Sequence, residues 1–257
     1  MTILKIHNPF NAPVYHEETT GSTMDISRQL AQKGSPHGTV IAADFQEKGR
    51  GRIKGRSWQM EREMSLPFTI LLRFPKTDEI PAALSLRSGL AVSAAIEDFI
   101  PSLKGKVMIK WPNDIIIDSK KTAGILCEAD GGTVHIGIGV NIAQKVFPEP
   151  LAEKAGSLSL AAGIDIKKEK RFSLLEKIIS HLFSELETHQ KTDWKPRIEE
   201  RLYKRNENVT FIEGEAGSRK KVTGSLCGIS ESGELLIVAC GETQPRSFIT
   251  GELAFHD

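Results

Sequence analysis

VMIKWPNDIIIDSKKTAGILCEADGGTVHIGIGVNI, residues 107–142, decides the fold of this chain. VMIK is apolar and β-prone, and KWPND (110–114) breaks it with a loop. IIID and TAGILCEA then read as the two arms of a hairpin, joined by a polar turn at Asp118 to Lys120. HIGIGVNI (135–142) alternates. Ile136, Ile138, Val140 and Ile142 share one side, and His135, Gly137, Gly139 and Asn141 share the other. Glycines in register on one strand face mean that something lies close against the backbone. The stretch therefore predicts an antiparallel sheet with one apolar face and one face that receives a ligand or another part of the chain.

Working outward, TVIAADF (39–45) and SLPFTILLRF (65–74) read as buried strands. MDISRQLAQKG reads as a short helix that Ser22 or Thr23 could cap and Gly34 ends. ALSLRSGLAVSAAIEDFI (83–100) has helical spacing and stops at Pro101. RFSLLEKIISHLFSELETH (171–189) is amphipathic, with Phe172, Leu175, Ile179, Leu182 and Leu186 along one stripe, and DWKPRIEERLYKR follows as a further helix. From about Asn206 the texture changes to short strands with glycine-rich turns: VTFIEG, KVTGSLCGI, GELLIVAC and PRSFITGEL. The expectation is a larger unit over residues 1–205 and a small all-β unit, a little barrel, over 206–257.

The totals narrow the function classes. The chain has 257 residues, 39% hydrophobic and 26% charged, with a formal net charge of +1, so it can bury a core and is not a polycation seeking nucleic acid or anionic membrane. No apolar run approaches a membrane span, and the first residues lack the pattern of a signal peptide. Cys127, Cys227 and Cys240 form no CxxC pair, and there is no HExxH. These features predict a cytoplasmic protein with reduced thiols, no membrane partner and no resident metal.

Four stretches carry chemistry. GRGRIKGRSW (49–58) alternates glycines with Arg50, Arg52, Lys54 and Arg56. Glycine lets backbone N–H groups approach a ligand, and arginine offers a fork of donors to phosphate or carboxylate. The plain alternatives are a solvated basic turn or a segment that touches RNA. In KWPND, Asn113 and Asp114 precede a very apolar strand, so the carboxylate is partly buried and needs partners; the alternative is an Asx turn. Lys121 opens the return strand, either as an exposed turn lysine or as an ammonium offered to a pocket floored by Gly124, Gly137 and Gly139. In ETTGSTMD (18–25), Ser22 and Thr23 either cap the helix or bind a small polar ligand.

Taken in order, GST, ADFQEKGRGR, KWPND, KKTAGIL, GIGVNI and the small β unit resemble biotin–protein ligases, from about residue 15 onward. The resemblance implies an α+β fold: a mixed β-sheet flanked by helices, related to class II aminoacyl-tRNA synthetases, with a C-terminal SH3-like barrel. It implies a ligase that uses ATP, with Mg²⁺ only as the partner of ATP. The enzyme would make biotinyl-5′-adenylate and pass biotin to a lysine of a biotin carboxyl carrier protein. A mobile Gly–Arg loop suits that chemistry, because it supplies charge and covers a labile mixed anhydride.

By the same resemblance, Ser22, Thr23 and Gln46 surround biotin's ureido ring, and Met24 also falls at the biotin site, standing where the family often has asparagine, with the loss of a polar contact. Gly49, Arg50, Gly51 and Arg52 fold over biotin and the phosphate. Lys121 contacts the biotin carboxylate and α-phosphate and is the leading catalytic residue, with Arg52. Asp114 positions the attacking amine or a metal. Asn113, Asn141 and Arg56 fall at the adenylate, and Gly124 and Gly137 line the floor. The loop is one residue longer than the family's usual spacing, and EREMSL (61–66) lacks the glycine–asparagine expected before the next strand.

Only about twenty residues precede GST, so no DNA-binding domain and no repressor role are expected. Relatives include monomers and dimers formed by edge strands, which leaves a homodimer open. The competing readings are a lipoate or octanoyl ligase of the same fold, for which Gln46 would have little to bind, a non-catalytic biotin-binding protein, and an RNA-binding module. The near-neutral charge and the lack of interleaved aromatics speak against the last.

Overall fold

A computed structural model describes residues 1–257 apart from Lys54, Pro150, 189–192, 215–219 and 255–257. Lys54 of the cationic loop and His189 of the expected long helix therefore lie outside the described residues. The strands of the larger sheet are β1 (Thr2–Ile3), β2 (Val14–Glu17), β3 (Thr39–Ala43), β4 (Ser65–Arg73), β5 (Met108–Lys110), β6 (Asp114–Ile117), β7 (Lys120–Asp130) and β8 (Thr133–Asn141). They lie in the order β1-β2-β3-β4-β8-β7-β6-β5. β2 and β3 run parallel and the other neighbours antiparallel, which makes the sheet mixed.

The helices are α1 (Thr23–Gln32), α2 (Leu84–Phe99), α3 (Leu158–Ala162), α4 (Arg171–Phe183) and α5 (Trp194–Glu200). On one face of the sheet, Val40, Ile70, Ile125, Ile136 and Ile138 join Val92 and Ile96 of α2 and Leu175 and Ile179 of α4 in a single core. The other face is covered by α1, which packs on β3, β4 and β8. The alternation of β8 produces this division: its isoleucines enter the core and its glycines lie under α1 and the cationic loop.

The β6–β7 turn is shorter than expected. Ile117 pairs with Lys120, leaving Asp118 and Ser119 alone at the turn, both with positive φ (49° and 62°). A two-residue hairpin turn needs that conformation, and aspartate tolerates it better than most residues. Glu63 also has φ 62°, in the segment that lacks the family's glycine, and its carboxylate is held by Lys168 at 2.5 Å.

The helical run expected over 171–189 changes its winding part way along. α4 ends at Phe183 and passes into a wider helical turn, Ser184–Thr188. That turn brings the buried Glu185 carboxylate between Arg87, whose Nε donates at 2.9 Å, and Arg197. The buried stripe of α4 centres on Leu174, Leu175, Ile178, Ile179 and Leu182, with Phe172 and Leu186 at its margin. α5 likewise stops at Glu200, because the following residues run beside β5 instead: Ile109 N–H donates to Arg201 O and Tyr203 N–H to Ile109 O.

The C-terminal sheet contains β9 (Asn208–Glu213), β10 (Lys221–Ile229), β11 (Leu235–Ala239), β12 (Arg246–Phe248) and β13 (Gly251–Leu253), all antiparallel, in the order β12-β11-β10-β9-β13. Phe211, Leu226, Ile237 and Phe248 fill it. It docks through Trp111, whose ring meets Phe211 edge-on at 5.8 Å and whose indole N–H donates to Gly233 O at 3.0 Å. The fold is thus α+β, a mixed sheet flanked by helices with a separate small β unit, as expected. The cysteines are free, and among the described residues no helix is long and apolar enough to cross a membrane.

Candidate active site

Two segments meet at the N-terminus of α1. The backbone of 20–21 bonds to that of 47–48, with Glu47 N–H donating to Thr20 O and Lys48 N–H to Gly21 O. This sets Ser22 and Thr23 beside Gln46. Ser22 occupies the N-cap position but makes no side-chain cap bond, so its hydroxyl is not spent on the helix. Thr23 donates to Gln46 Oε1 twice, from its backbone N–H (2.8 Å) and from its hydroxyl (3.0 Å).

The floor is set by register. Gly139 pairs with Gly124, Gly124 with Asp114, and Asp114 with Lys110, so these four residues form one row on one face of the sheet. Gly137 and Thr69 pair in the next row on that face. A side chain at Gly139 would come within 2.6 Å of the Trp58 ring, and one at Gly137 within 2.9 Å of Met24 Sδ. Two residues along a strand span about 7 Å. Met24 therefore covers one end of the floor and Trp58 the other. The indole N–H of Trp58 is buried and finds no acceptor among the described residues.

The cationic loop is tied at several points. Gly51 N–H donates to Arg56 O and Trp58 N–H to Gly49 O, which lays 49–51 back against 56–58. A Cβ at Gly49 would meet Trp58 O at 2.9 Å, so glycine is needed there. Arg50 reaches both oxygens of Asp25 on α1 (2.8 and 3.2 Å). Arg52 donates to Gly251 O of β13 at 2.8 Å. Arg56 makes a forked pair with Glu252 (2.7 and 2.9 Å). That hydrogen-bonded pair holds the Glu252 carboxyl below the usual carboxylate range and raises Arg56. The loop is therefore neither a solvated basic turn nor free of the small β unit.

Lys121 is not a free turn lysine: its Nζ lies 2.6 Å from Asp114 and 5.8 Å from the centre of the Trp58 ring. Asn113 does not close a local Asx turn. Its amide crosses to β7 and donates to Ile125 O at 2.7 Å. Lys110, in the same row as Asp114, is buried, and desolvation pulls its pKa down to about 8 despite that carboxylate.

One cavity is lined by Ser22, Thr23, Met24, Gln46, Arg50, Gly51, Arg52, Trp58, Asn113, Lys121, Gly124 and Gly137, with Phe68, Gly139 and three apolar residues of β7 and β8. Most of the residues singled out in the sequence thus share one space. Asp114 borders it through Lys121, and Gly49 through Trp58. Two expectations fall elsewhere. Asn141 is buried away from the cavity, accepting from Ser65 (3.3 Å) and donating to Gly156 O (3.0 Å), and Arg56 faces Glu252. The sequence reading left out Trp58, Thr69 and Lys110; the tryptophan at the end of the Gly–Arg run was the one visible signal.

The cavity sets neutral hydrogen-bonding groups, a glycine floor and a cluster of cations side by side, which suits a class of ligand with a polar head and an anionic end. The family model for the Biotin/lipoate A/B protein ligase family matches residues 17–142. The chain is 30% identical over 227 residues to the biotin–[acetyl-CoA-carboxylase] ligase of Paracoccus denitrificans, covering 85% of this chain and 91% of that one. It is 36% identical over 163 residues to the bifunctional ligase/repressor BirA of Bacillus subtilis, covering 60% of this chain and 48% of that protein. The chain thus spans about half the length of that relative. Among solved structures, the biotin protein ligase of Aquifex aeolicus in complex with biotin and ATP superposes with a TM-score of 0.76 at 28% identity, covering 94% and 97% of the two chains. The chain belongs to the biotin–protein ligase family.

Proposed function

We propose that this protein is a biotin–protein ligase that forms biotinyl-5′-adenylate and then biotinylates a lysine of a biotin carboxyl carrier protein. The observation that carries this reading is the arrangement of this cavity. Gln46, Ser22 and Thr23 offer hydrogen bonds to a ureido ring beside Met24. Trp58 and Met24, laid on the glycine floor, offer apolar surface to an acyl chain. Lys121 and Arg52 would meet the carboxylate and phosphate, with Arg50 closing the loop against α1.

In the first step a biotin carboxylate oxygen attacks the α-phosphorus of ATP. The new O–P bond forms as the bond to the bridging oxygen breaks, and pyrophosphate leaves. Lys121 lies between the two anions and offsets their repulsion, while Asp114 orients its ammonium. In the second step the neutral amine of the carrier lysine attacks the acyl carbon. The acyl C–O bond breaks, AMP leaves and the amide nitrogen loses a proton. Asp114 is the carboxylate that receives that amine. Arg50, Arg52 and Trp58 exclude water from the mixed anhydride. Mg²⁺ enters with ATP.

Residues 1–205 form the catalytic unit in this reading and 206–257 the small one; Asn206 makes the first backbone bond into the second sheet, donating to Leu226 O. Three unpaired thiols support placement in the cytoplasm. A lipoate ligase is not favoured, because an acyl chain without a ureido group would leave Gln46 unmatched. The test is ATP–pyrophosphate exchange with biotin and, separately, with lipoate, in the absence of any carrier. Exchange with biotin alone is expected. Exchange with lipoate alone, or with neither, overturns the reading.

A further inference from the structure

Asp25 stands in the first turn of α1, where the helix dipole favours an anion. It is not among the described residues that line the cavity. Its carboxylate nevertheless takes both arms of the Arg50 guanidinium, Nη2 donating to Oδ1 at 2.8 Å and Nη1 to Oδ2 at 3.2 Å. Oδ1 also accepts from Arg28 Nη1 at 2.9 Å, and Arg28 Nη2 is paired with Glu128 of β7. The charges therefore alternate along Glu128, Arg28, Asp25 and Arg50, from the central sheet through α1 to the cationic loop. These side chains are 35–44% exposed, and a lone ion pair at that exposure contributes little. A forked arginine–carboxylate bond inside a network is the geometry that contributes most.

Arg50 is where such an anchor has leverage on the loop. Its backbone pairs with Ser57, between the Gly49–Trp58 and Gly51–Arg56 hydrogen bonds. Holding the Arg50 side chain on α1 therefore holds both arms of the loop, with Trp58 beside Ser57 on one and Arg52 just beyond Arg50 on the other. Arg52 and Arg56 fasten the loop separately, to β13. We infer that Asp25 is a positioning residue for the reaction: through Arg50 it clamps the Gly–Arg loop to α1 and so keeps the adenylate in the cavity until a carrier lysine arrives. The inference rests on the biotin reading above. Asp25 touches no reacting atom, so formation of the adenylate at Lys121 does not depend on it. What depends on it is how long the loop stays shut. An opened loop lets the adenylate leave, or lets water attack its acyl carbon; the acyl C–O bond then breaks to give biotin and AMP.

The test uses the intact protein with biotin and ATP and no carrier. Two rates are measured in the wild type, Asp25→Asn, Arg50→Gln and the double variant. Pyrophosphate exchange reports formation of the adenylate, and the appearance of free adenylate and AMP in solution reports its escape. Asparagine keeps the size of aspartate and removes the charge. In Asp25→Asn exchange should stay within about twofold of wild type, while escape rises roughly 3–5-fold, the upper range for a half-exposed ion pair. The double variant should leak no faster than Arg50→Gln alone, because the two side chains act as one unit. Escape should also rise with salt in the wild type, and less steeply in Asp25→Asn. A purely structural role would lower exchange and retention together, and that result overturns the inference. So does wild-type retention in Asp25→Asn, or a double variant in which the two effects multiply. A wild type without biotin-dependent exchange would instead refute the biotin reading itself, before Asp25 comes into question.

Discussion

Replacing Gly139 by alanine tests the floor of the cavity directly. The backbone at Gly139 is not among the positive-φ positions, so the strand itself accepts an alanine. The new methyl would lie 2.6 Å from Trp58 Cε2, 2.9 Å from Cζ2 and 3.0 Å from Nε1. To restore ordinary contact the indole must retreat by about 1 Å. The indole belongs to the loop, not to the core, so the fold loses little: about 1 kcal/mol or less on thermal unfolding. The displaced indole is pushed into the space that a ligand in the cavity would take. Overpacking by one methyl costs roughly 1–3 kcal/mol, so biotin affinity should fall by about 5–150-fold. Gly89→Ala in α2 is the matched control. Its Cβ would sit 3.5 Å from Ile109, in ordinary contact, and alanine favours a helix, so stability should hold or rise and biotin binding should not change. Calorimetric titration with biotin and a melting curve on each variant decide the matter. If Gly139→Ala binds biotin within about twofold of wild type, the ligand does not lie where the glycine row places it.

Other outcomes follow from the same geometry. Lys121→Ala should abolish pyrophosphate exchange while leaving the melting curve nearly unchanged, since the side chain is partly exposed; exchange at the wild-type rate would remove Lys121 from the chemistry. His135 is buried beneath α1 with Nδ1 2.7 Å from the Ser27 hydroxyl, and desolvation lowers its pKa to about 4. Its folded pKa lies below the unfolded value of about 6.5, so the unfolded chain takes up the proton first. Stability should therefore decline as pH falls from about 6.5 to about 4, by at most about 3 kcal/mol, and His135→Gln should flatten that part of the curve in urea titrations at stepped pH. Glu185→Ala leaves the buried Arg87 guanidinium without its carboxylate and should cost about 3–5 kcal/mol, seen as a lower denaturation midpoint.

The sequence made the central strands legible because their periodicity is local. HIGIGVNI separates core from cavity within eight residues, and the turn after IIID marks a hairpin within two. The Gly–Arg run announces its charge in the same way. What could not be read depends on partners far along the chain. Nothing near Arg56 points to Glu252, and nothing near Thr23 points to Thr69. Lys110 looks like an ordinary strand-end lysine until β6 and the last sheet close around it. Asn141 shows the converse. Its place on the glycine face suggested a ligand contact, but that face extends beyond the cavity, where Ser65 and Gly156 claim the amide. The helical run read over 171–189 continues through Thr188 with a wider last turn, whereas α5 ends at Glu200 because Arg201 and Tyr203 are drawn to Ile109.

The fastening of the Gly–Arg strap to β13 also has a consequence for the order in which the protein is made. The eight-stranded sheet is complete once Asn141 has been added, and with it the floor, α1 and the lysine. The carbonyl of Gly251 and the carboxylate of Glu252, which hold Arg52 and Arg56, arrive about 110 residues later. At roughly 5–20 residues per second that is about 5–20 s of synthesis. During that interval the strands of the cradle exist without the residues that fasten its cover, so the ability to shield a reactive intermediate from water waits for the final strand.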